Sequence, residues 1–324
     1  MQRSGERTGL MDNTISVVVA TMNRPQELAD MLSTLLAQSH LPEEVIIVDQ
    51  SCDCSTESVV ECCANKLGSS APKIVYVHAL NPDARSAAGA GAARNIGIER
   101  ATGDVLVFLD DDVLLEREFL QELLAVYSGY NSLGGVSGVV TNYSRPAFLH
   151  RLLRRLFWIG PFHDERQPIY WSADQCRDGG PIRVRKFGSG LMSIRRATLQ
   201  SYRFDQGGGS GFPGEDVDLS WRISERFPLA ITPRARLVHL RSGGSRARKH
   251  WLDLDAQGNH YLYQRIWKAK FGYKLCFTWL NIGYVAIATA ASLRRLSMEP
   301  WRALINGARR GFHAGRVDSR HDMT

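Results

Sequence analysis

Residues 104–113 read DVLVFLDDDV, an apolar run that ends in three consecutive aspartates. A continuous apolar run rich in β-branched residues is typical of a strand that is buried on both faces of a parallel sheet. Comparable runs lie earlier in the chain at residues 15–20, 44–48 and 73–78, with helical segments between them. Strands that alternate with helices over about 120 residues predict an α/β fold with a doubly wound, mostly parallel sheet.

Polar side chains follow these strands in the sequence. Thr21, Asn23 and Arg24 come after the first strand, Asp49 ends the second, and aspartates 110–112 end the fourth. Ligands of open α/β sheets bind beyond the carboxyl ends of the strands. We therefore expect these side chains to meet at one edge of the sheet.

The three aspartates indicate a metal site. Each repels its neighbours, and no structural role requires all three. Alternate residues of an extended segment point to the same side, so Asp110 and Asp112 share a face. Their oxygen ligands suit Mg²⁺ or Mn²⁺, which proteins usually hold with one or two carboxylates together with substrate phosphates. A solvated acidic turn is the alternative interpretation.

The second half of the chain is less regular. Residues 135–141 and 187–194 are predicted to be strands, and a glycine-rich loop at 207–214 leads into Glu215 and Asp216 at the start of a predicted helix. A carboxylate within reach of a reacting hydroxyl can accept its proton. An acidic pair in the first turn of a helix also has a purely structural explanation, because it interacts favourably with the helix dipole.

The 324-residue chain has a net charge of +7 that is unevenly distributed. From Arg234 onward there are 17 basic and 5 acidic residues, a net of +12, whereas the preceding residues carry a net of −5. A basic C-terminal part predicts contact with an anionic partner, for which phosphate groups, a membrane surface and nucleic acid are all open. The N-terminal residues lack the apolar segment of a signal peptide, so we expect a cytoplasmic protein.

Five short motifs, taken together and in order, resemble the signatures of family 2 glycosyltransferases. In chain order they are residues 15–25 (ISVVVATMNRP), 45–51 (VIIVDQS), 93–97 (ARNIG), 108–113 (FLDDDV) and 214–219 (GEDVDL). The resemblance implies a GT-A fold, a nucleotide-sugar donor and a divalent ion, Mn²⁺ or Mg²⁺. Gln50 and Cys52 depart from the residues that are usual in the family, which leaves the nucleobase preference open.

The resemblance also implies roles for individual residues. Asp49 would contact the base, Thr21 the rim of the nucleotide pocket, and Arg94 the base or the diphosphate. The donor-binding residues implied in this way are Thr21, Asn23, Arg24, Asp49, Arg94, Asp110 and Asp111. The implied metal ligands are Asp112, Asp110 and His239, and the implied catalytic residues are Asp216, as general base, and Glu215. A helix-surface charge for Arg94 and structural packing for His239 are the alternatives.

Residues 275–293 (LCFTWLNIGYVAIATAASL) carry no charged side chain, and basic residues flank them on both sides. Their length is sufficient to span a bilayer, but asparagine, glycine, threonine and alanine residues lower the hydrophobicity. Basic side chains near Trp301 and Phe312 are typical of a segment that lies in the headgroup layer of an anionic membrane. An interfacial helix, a spanning helix and a helical cap on the catalytic domain are therefore all open.

The predicted organisation has four parts. A disordered segment at 1–13 precedes a GT-A catalytic domain at 14–240. Within that domain, residues of about 14–115 form the nucleotide-sugar half and residues 116–240 the acceptor half. A flexible basic loop at 241–260 and a helical C-terminal extension at 261–324 follow.

The sequence thus predicts an inverting glycosyltransferase that moves a sugar from a nucleotide-diphosphate sugar to a hydroxyl of a saccharide or lipid-linked saccharide. We expect it to lie peripherally on the cytosolic face of a membrane and not to bind nucleic acid. A nucleotidyltransferase is the first alternative, although it would usually have a glycine-rich, lysine-containing loop after the first strand. A non-enzymatic protein whose basic tail binds a membrane or nucleic acid is the second.

Overall fold

The computed structural model describes residues 13–65, 71–79, 89–142, 148, 152–153, 155–159, 180–188, 190–206, 214–240, 251–269 and 271–317. Three expectations concern segments outside these residues. They are the disorder of the first twelve residues, most of the glycine-rich loop at 207–213, and the first part of the basic loop at 241–250.

The described residues form one nine-stranded sheet with helices on both faces. Its strands are β1 (Ile15–Thr21), β2 (Glu44–Asp49), β3 (Lys73–His78), β4 (Val105–Asp110), β5 (Val113–Leu115), β6 (Gly135–Val140), β7 (Ile182–Val184), β8 (Leu191–Arg195) and β9 (Leu229–His239). The strand order is β3-β2-β1-β4-β8-β6-β9-β5, and β7 pairs with β9. Strands β3, β2, β1 and β4 are parallel, as are β6 and β9, whereas β5, β7 and β8 pair antiparallel with their neighbours. The prediction of an α/β fold with a mostly parallel central sheet is confirmed.

Helices cover the sheet and continue into a C-terminal group. They are α1 (Pro25–Leu35), α2 (Ser55–Asn65), α3 (Gly89–Arg100), α4 (Phe119–Gly129), α5 (Arg196–Leu199), α6 (Glu215–Ser224), α7 (Trp251–Leu262), α8 (Phe271–Arg295) and α9 (Glu299–Val317). Two π-helical turns occur at Arg155–Ile159 and Tyr263–Trp267. Pro25 opens α1, where its missing N–H is not needed for the helical hydrogen-bond ladder.

Alternate residues of β1 pack into two different cores. Val17 and Val19 join the side chains of α1 and α4 on one face of the sheet, and Val18 joins those of α3 and α6 on the other. Because both faces of the strand are buried, every position favours an apolar residue. This explains the continuous apolar run that identified the strand in the sequence.

Two predicted boundaries in the second half are wrong. The strand predicted at 187–194 begins only at Leu191, because Gly190 before it adopts a left-handed backbone conformation with φ of +84°. The flexible loop predicted at 241–260 ends before Trp251, where α7 begins. This helix buries Leu252 and Ala256 against α8 and α9.

Glycines bring α9 into direct contact with the backbone of α7. A Cβ atom on Gly307 would lie 2.2 Å from the carbonyl oxygen of Asp253, and one on Gly311 would lie 2.1 Å from that of Gln257. Only a residue without a side chain permits this approach. Helix α8 lies beside this pair of helices. Among the helices in the described ranges, it is the one that is long and apolar enough to cross a membrane. Of the apolar stretch of this helix, 33% is buried.

Candidate active site

The carboxyl ends of β1, β2 and β4 lie side by side. Thr21 is opposite Asp49 in the β1–β2 pair, and Ala20 is opposite Asp110 in the β1–β4 pair. The parallel arrangement therefore gathers the polar residues that follow these strands at one edge of the sheet, as the sequence predicts.

Strands β5 and β9 bring His239 to the aspartates. Val113 pairs with His239, and the Leu240 amide donates a hydrogen bond to the carbonyl oxygen of Asp112 at 2.8 Å. His239 Nε2 lies 3.0 Å from Asp112 Oδ1 and 3.9 Å from Asp110 Oδ2. One ligand atom from each of these three residues lies within 4.8 Å of the other two. Two carboxylates and an imidazole at these separations fit a single divalent ion.

Gly190 provides the space that Asp110 occupies. A Cβ atom at this position would lie 2.6 Å from Asp110 Oδ2. The adjacent residue, Leu191, pairs with Leu109 across β8 and β4, so Gly190 lies beside the end of β4. The strand predicted at 187–194 includes this glycine, and no sequence pattern connects it with the aspartates. Their proximity follows only from the register of β4 and β8.

The acidic turn is largely buried, so its interpretation as a solvated turn is wrong. Asp111 and Asp112 are each 5% exposed. Asp111 Oδ2 accepts a hydrogen bond from Thr21 Oγ1 at 2.9 Å, and Asp111 Oδ1 accepts one from Arg24 Nη1 at 3.1 Å. Burial raises the pKa of Asp111 to about 6, although Arg24 and Thr21 oppose the shift. Three of the expected donor-binding residues thus bind one another, and their contact with a donor stays a prediction.

Arg94 joins the two acidic groups of the site. Its Nη2 donates to Asp110 Oδ1 and its Nη1 to Asp216 Oδ1, each at 2.8 Å, and Nη1 lies 3.5 Å from Glu215 Oε1. The residue is 2% exposed, so its interpretation as a helix-surface charge is wrong. Burial lowers the pKa of Arg94, but Asp216, Asp110 and Glu215 outweigh this effect and leave the pKa above its usual value. The guanidinium therefore stays charged between α3, β4 and α6.

Two buried polar atoms at this junction lack a hydrogen-bond partner in the part of the chain that the structure describes. Among the described residues, neither Arg94 Nε nor Glu215 Oε2 has a hydrogen-bond partner. Buried polar atoms in native proteins almost always have one, and an exception at a cluster of charged side chains calls for an explanation. A bound substrate that offers hydroxyl or phosphate groups would supply the missing partners.

Both carboxylate oxygens of Asp49 accept hydrogen bonds within the protein. Its Oδ1 accepts hydrogen bonds from the Ser51 amide, at 2.9 Å, and from the Ser51 hydroxyl, and its Oδ2 accepts one from Tyr76 Oη at 2.8 Å. The Asn23 amide in turn donates to Ser51 Oγ at 2.7 Å. This buried carboxylate therefore fixes the loops that follow β1 and β2, and its contact with a base stays a prediction.

The sequence profile of Glycosyl transferase family 2 matches residues 16–189, more than half of the chain. The chain belongs to this family. The match includes both the acidic turn and Arg94, and the resemblance found in the motifs is thereby confirmed.

Curated relatives are also glycosyltransferases. The validoxylamine A glucosyltransferase of Streptomyces hygroscopicus subsp. limoneus is 28% identical over 237 residues, which cover 67% of this chain and 49% of the relative. An uncharacterized glycosyltransferase of Haemophilus influenzae is 36% identical over 112 residues, which cover 35% of this chain and 34% of the relative. The chain spans about half the length, or less, of the curated relatives it matches.

Solved structures establish the fold as GT-A. One similar structure is the mannosyltransferase PcManGT from Pyrobaculum calidifontis in complex with GDP-Man and Mn²⁺. It superimposes with a TM-score of 0.55 at 19% sequence identity, and the aligned region covers 96% of this chain and 88% of the PcManGT chain. S. aureus TarS 1-349 in complex with UDP-GlcNAc superimposes with a TM-score of 0.57 at 16% sequence identity. The aligned region covers 94% of this chain and 83% of the TarS chain. The chain thus combines membership of glycosyltransferase family 2 with the GT-A fold.

Proposed function

We propose that this family 2 glycosyltransferase transfers a sugar, with inversion, from a nucleotide-diphosphate sugar to a hydroxyl of a saccharide or lipid-linked saccharide. The observation that carries the proposal is Arg94, which connects the metal-ligand cluster to Asp216. On this proposal, Arg94 would hold the ion site for the donor diphosphate and the carboxylate for the acceptor hydroxyl beside one another. Structural neighbours complexed with GDP-Man and UDP-GlcNAc support the donor class.

Asp110, Asp112 and His239 would hold the divalent ion. The imidazole nitrogen in this ligand set favours Mn²⁺ over Mg²⁺, because Mg²⁺ prefers oxygen ligands alone. When bound, the ion would act as a Lewis acid on the diphosphate, whose negative charge grows as it leaves the sugar. His239 is held in place by the pairing of β9 with β5.

Asp216 would accept the proton of the acceptor hydroxyl. It lies in the first turn of α6, is buried, and is oriented by the charged Arg94 at 2.8 Å. A single base that activates a hydroxyl on the side of the sugar opposite the diphosphate gives one displacement and an inverted anomeric centre. The unsatisfied Glu215 Oε2 beside it would accept a second hydrogen bond from the acceptor.

The donor pocket would be formed by the loops that follow β1 and β2. Asp49 and Ser51 fix the second loop, and Asn23, with a left-handed φ of +56°, fixes the first against it. Thr21 and Arg24 hold the acidic turn between these loops and the metal cluster. In this arrangement Asp49 holds the loop that would contact the base.

A transfer assay with a panel of nucleotide sugars tests the proposal. With Mn²⁺ present we expect release of a nucleoside diphosphate from one donor, loss of turnover with a chelator, and a product of inverted configuration. The Asp216→Asn variant should lose about 10²–10⁴-fold in rate, as for a missing general base. Release of pyrophosphate would identify a nucleotidyltransferase, and a retained configuration would exclude the single-base mechanism.

We also propose that the protein is cytoplasmic and binds the anionic cytosolic face of a membrane through α8 and α9. The outer face of α8 exposes apolar side chains along its whole length, among them Phe271, Leu275, Ile282, Val285 and Leu293. Lys274, Arg294 and Arg295 are exposed near the two ends of α8, and α9 exposes Arg302 and Arg309. The opposite face of α8 packs on α7 and α9, which favours a helix lying in the interface over a spanning one.

Vesicle sedimentation tests this second proposal. The protein should bind vesicles that contain anionic phosphatidylglycerol and should detach from them at high salt. It should not bind vesicles of neutral phosphatidylcholine. Replacing both Ile282 and Val285 by Ser should abolish binding, and the Arg302→Gln/Arg309→Gln variant should weaken it. The exposed Glu118→Gln change should have no effect. A shift from dimer to monomer in the Ile282/Val285 variant would show that a second copy covers this face instead.

A further inference from the structure

Helix α6, which carries Glu215 and Asp216 in its first turn, is packed from two sides. Leu219 and Ile223 belong to the core between the helix and the sheet. Val217 and Trp221 belong to a separate core formed with residues of α7 and the following π-helical turn. Trp221 also contacts Trp267 edge-to-face, with ring centroids 5.8 Å apart. One side of α6 is therefore packed against the C-terminal extension.

Two carboxylates of the catalytic domain are buried at this contact, and residues of the extension are bound to both. The side chains of Asp205 and Asp218 are 3% and 1% exposed. Tyr261 Oη donates to Asp205 Oδ2, and Arg265 Nε lies 3.4 Å from Asp218 Oδ1 and 3.9 Å from Asp205 Oδ2. Asp218 Oδ2 is also bound by Arg222 of the same helix, at 2.7 and 2.9 Å, so Arg265 supplies the partner of the other carboxylate oxygen, Oδ1. A buried carboxylate that loses a partner is destabilised, so the contacts with the extension constrain where both aspartates lie.

Asp205 is connected to the helix that bears Arg94. The neighbouring Phe204 exchanges two hydrogen bonds with the side chain of Asn95, each 2.9 Å long. The Phe204 ring also lies 5.4 Å from the guanidinium carbon of Arg94. A displacement of Asp205 would therefore move the adjacent Phe204, which contacts both Asn95 and Arg94.

Asp218 and Tyr261 are connected to the first turn of α6. The Asp218 amide donates to the carbonyl oxygen of Gly214 at 2.9 Å, which closes that turn. Gly214 has a φ of +120°, and a Cβ atom on it would lie 3.3 Å from the Tyr261 ring. Glu215 and Asp216 lie within this turn, between the carbonyl of Gly214 and the amide of Asp218.

We infer that Tyr261 and Arg265 are positioning residues of the active site: they fix Asp205 and Asp218, and through them the Arg94–Asp216 pair. The C-terminal extension is accordingly part of the catalytic unit and not only a membrane-facing attachment. The effect on turnover rests on the proposed role of Asp216, whereas the effect on the first turn of α6 does not.

Hydrogen exchange of the full chain tests the inference with a matched control. Tyr284 is also a buried tyrosine of the extension, and its Oη donates to Asp255 Oδ2 at 2.6 Å. Tyr261→Phe and Tyr284→Phe therefore each remove one buried hydroxyl that is bonded to an aspartate. We expect amide exchange in a peptide covering residues 215–219 to be at least about tenfold faster in Tyr261→Phe, and unchanged in Tyr284→Phe. Arg265→Gln should reproduce the effect, and Arg265→Lys should largely restore protection.

Kinetics of the same variants provide the second readout. With the donor found in the panel, Tyr261→Phe should lower kcat about tenfold or more while the KM for donor and the Mn²⁺ affinity stay within about twofold. Equal exchange at residues 215–219 in the two tyrosine variants would overturn the inference. Faster exchange in Tyr261→Phe with an unchanged kcat would support the positioning of α6 and would instead contradict the role proposed for Asp216.

Discussion

At the scale of single residues, the position of Asp110 depends on Gly190. Alanine at this site requires an unfavourable positive φ and places its Cβ 2.6 Å from Asp110 Oδ2. We therefore expect Gly190→Ala to move Asp110 and to lower Mn²⁺ affinity by about 10–100-fold, the range seen when residues that orient metal ligands are changed. Isothermal titration calorimetry with Mn²⁺ measures this directly. Gly129→Ala is the control, because a Cβ there has nothing within 4 Å, and equal affinities in the two variants would contradict the prediction.

Arg94 is the residue whose removal should cost the most stability. Arg94→Met leaves Asp110, Glu215 and Asp216 without the cation that they share. Breaking a buried ion pair in this way costs about 3–5 kcal/mol. Urea denaturation monitored by circular dichroism gives the free energy of unfolding. The exposed Arg100→Met change in the same helix should stay within about 0.5 kcal/mol, and a similar value for Arg94→Met would show that the three carboxylates do not depend on it.

The sequence identifies the residues of this site better than it identifies their partners. The order of the motifs predicts that Asp110, Asp112 and Asp216 belong to one site, because each follows or opens a recognisable element. The burial of Arg94 among three carboxylates and the engagement of Asp49 by Tyr76 arise from contacts between distant segments. No local pattern records such contacts. The expectation that both residues bind the donor rests on the resemblance to the family and stays a prediction.

At the scale of elements, the contact between α7 and α9 has no room for a side chain. In Gly311→Ala the new methyl group would lie 2.1 Å from the carbonyl oxygen of Gln257, so the helices must separate. We expect a loss of about 1–3 kcal/mol, as for an overpacked core. Gly272→Ala in α8 has open space and should be neutral or slightly stabilising. Thermal unfolding of the two variants compares them, and equal melting temperatures would argue against the close contact.

Helix α7 should also make stability depend on pH through His260. Burial lowers the pKa of this histidine, although a hydrogen bond with the Ala256 carbonyl oxygen opposes the shift. The unfolded chain then binds more protons than the folded one below about pH 6.5, so stability falls as the pH drops through that region. Urea denaturation at about pH 7.5 and about pH 5 should show a smaller acid-induced loss in His260→Gln than in the unchanged protein. The exposed His313→Gln control should leave the loss unchanged, and an unaltered loss in His260→Gln would refute the assignment.

Elements were predictable wherever burial was reflected in local composition. Strands β1, β2 and β4 are apolar at nearly every position because both of their faces are covered. Most of α7 was predicted to be a loop, because its sequence, WLDLDAQGNHYL, contains several polar residues and a glycine. Its stability comes from the glycines of α9, which lie about 50 residues further along the chain and which no periodicity in α7 reveals.

At the scale of the whole molecule, a divalent ion should stabilise the fold, because it binds the folded chain and not the unfolded one. At an Mn²⁺ concentration of 100 times the dissociation constant the gain is about 2.7 kcal/mol. We expect Mn²⁺ to raise the melting temperature of the unchanged protein and a chelator to reverse the shift. Asp112→Ala should abolish the response, and Glu118→Ala, on the exposed start of α4, should retain it. A persistent response in Asp112→Ala would place the ion elsewhere.

The pairing of β5 with β9 has a consequence for the synthesis of the protein. Asp112 and His239 are far apart in the chain, and the pairing of these two strands makes them neighbours. A nascent chain that has emerged only as far as the aspartates has the carboxylates but not the imidazole. If the proposed ion binds there, full affinity would arise only once β9 has been made and has docked, so loading with metal would report that this strand is in place.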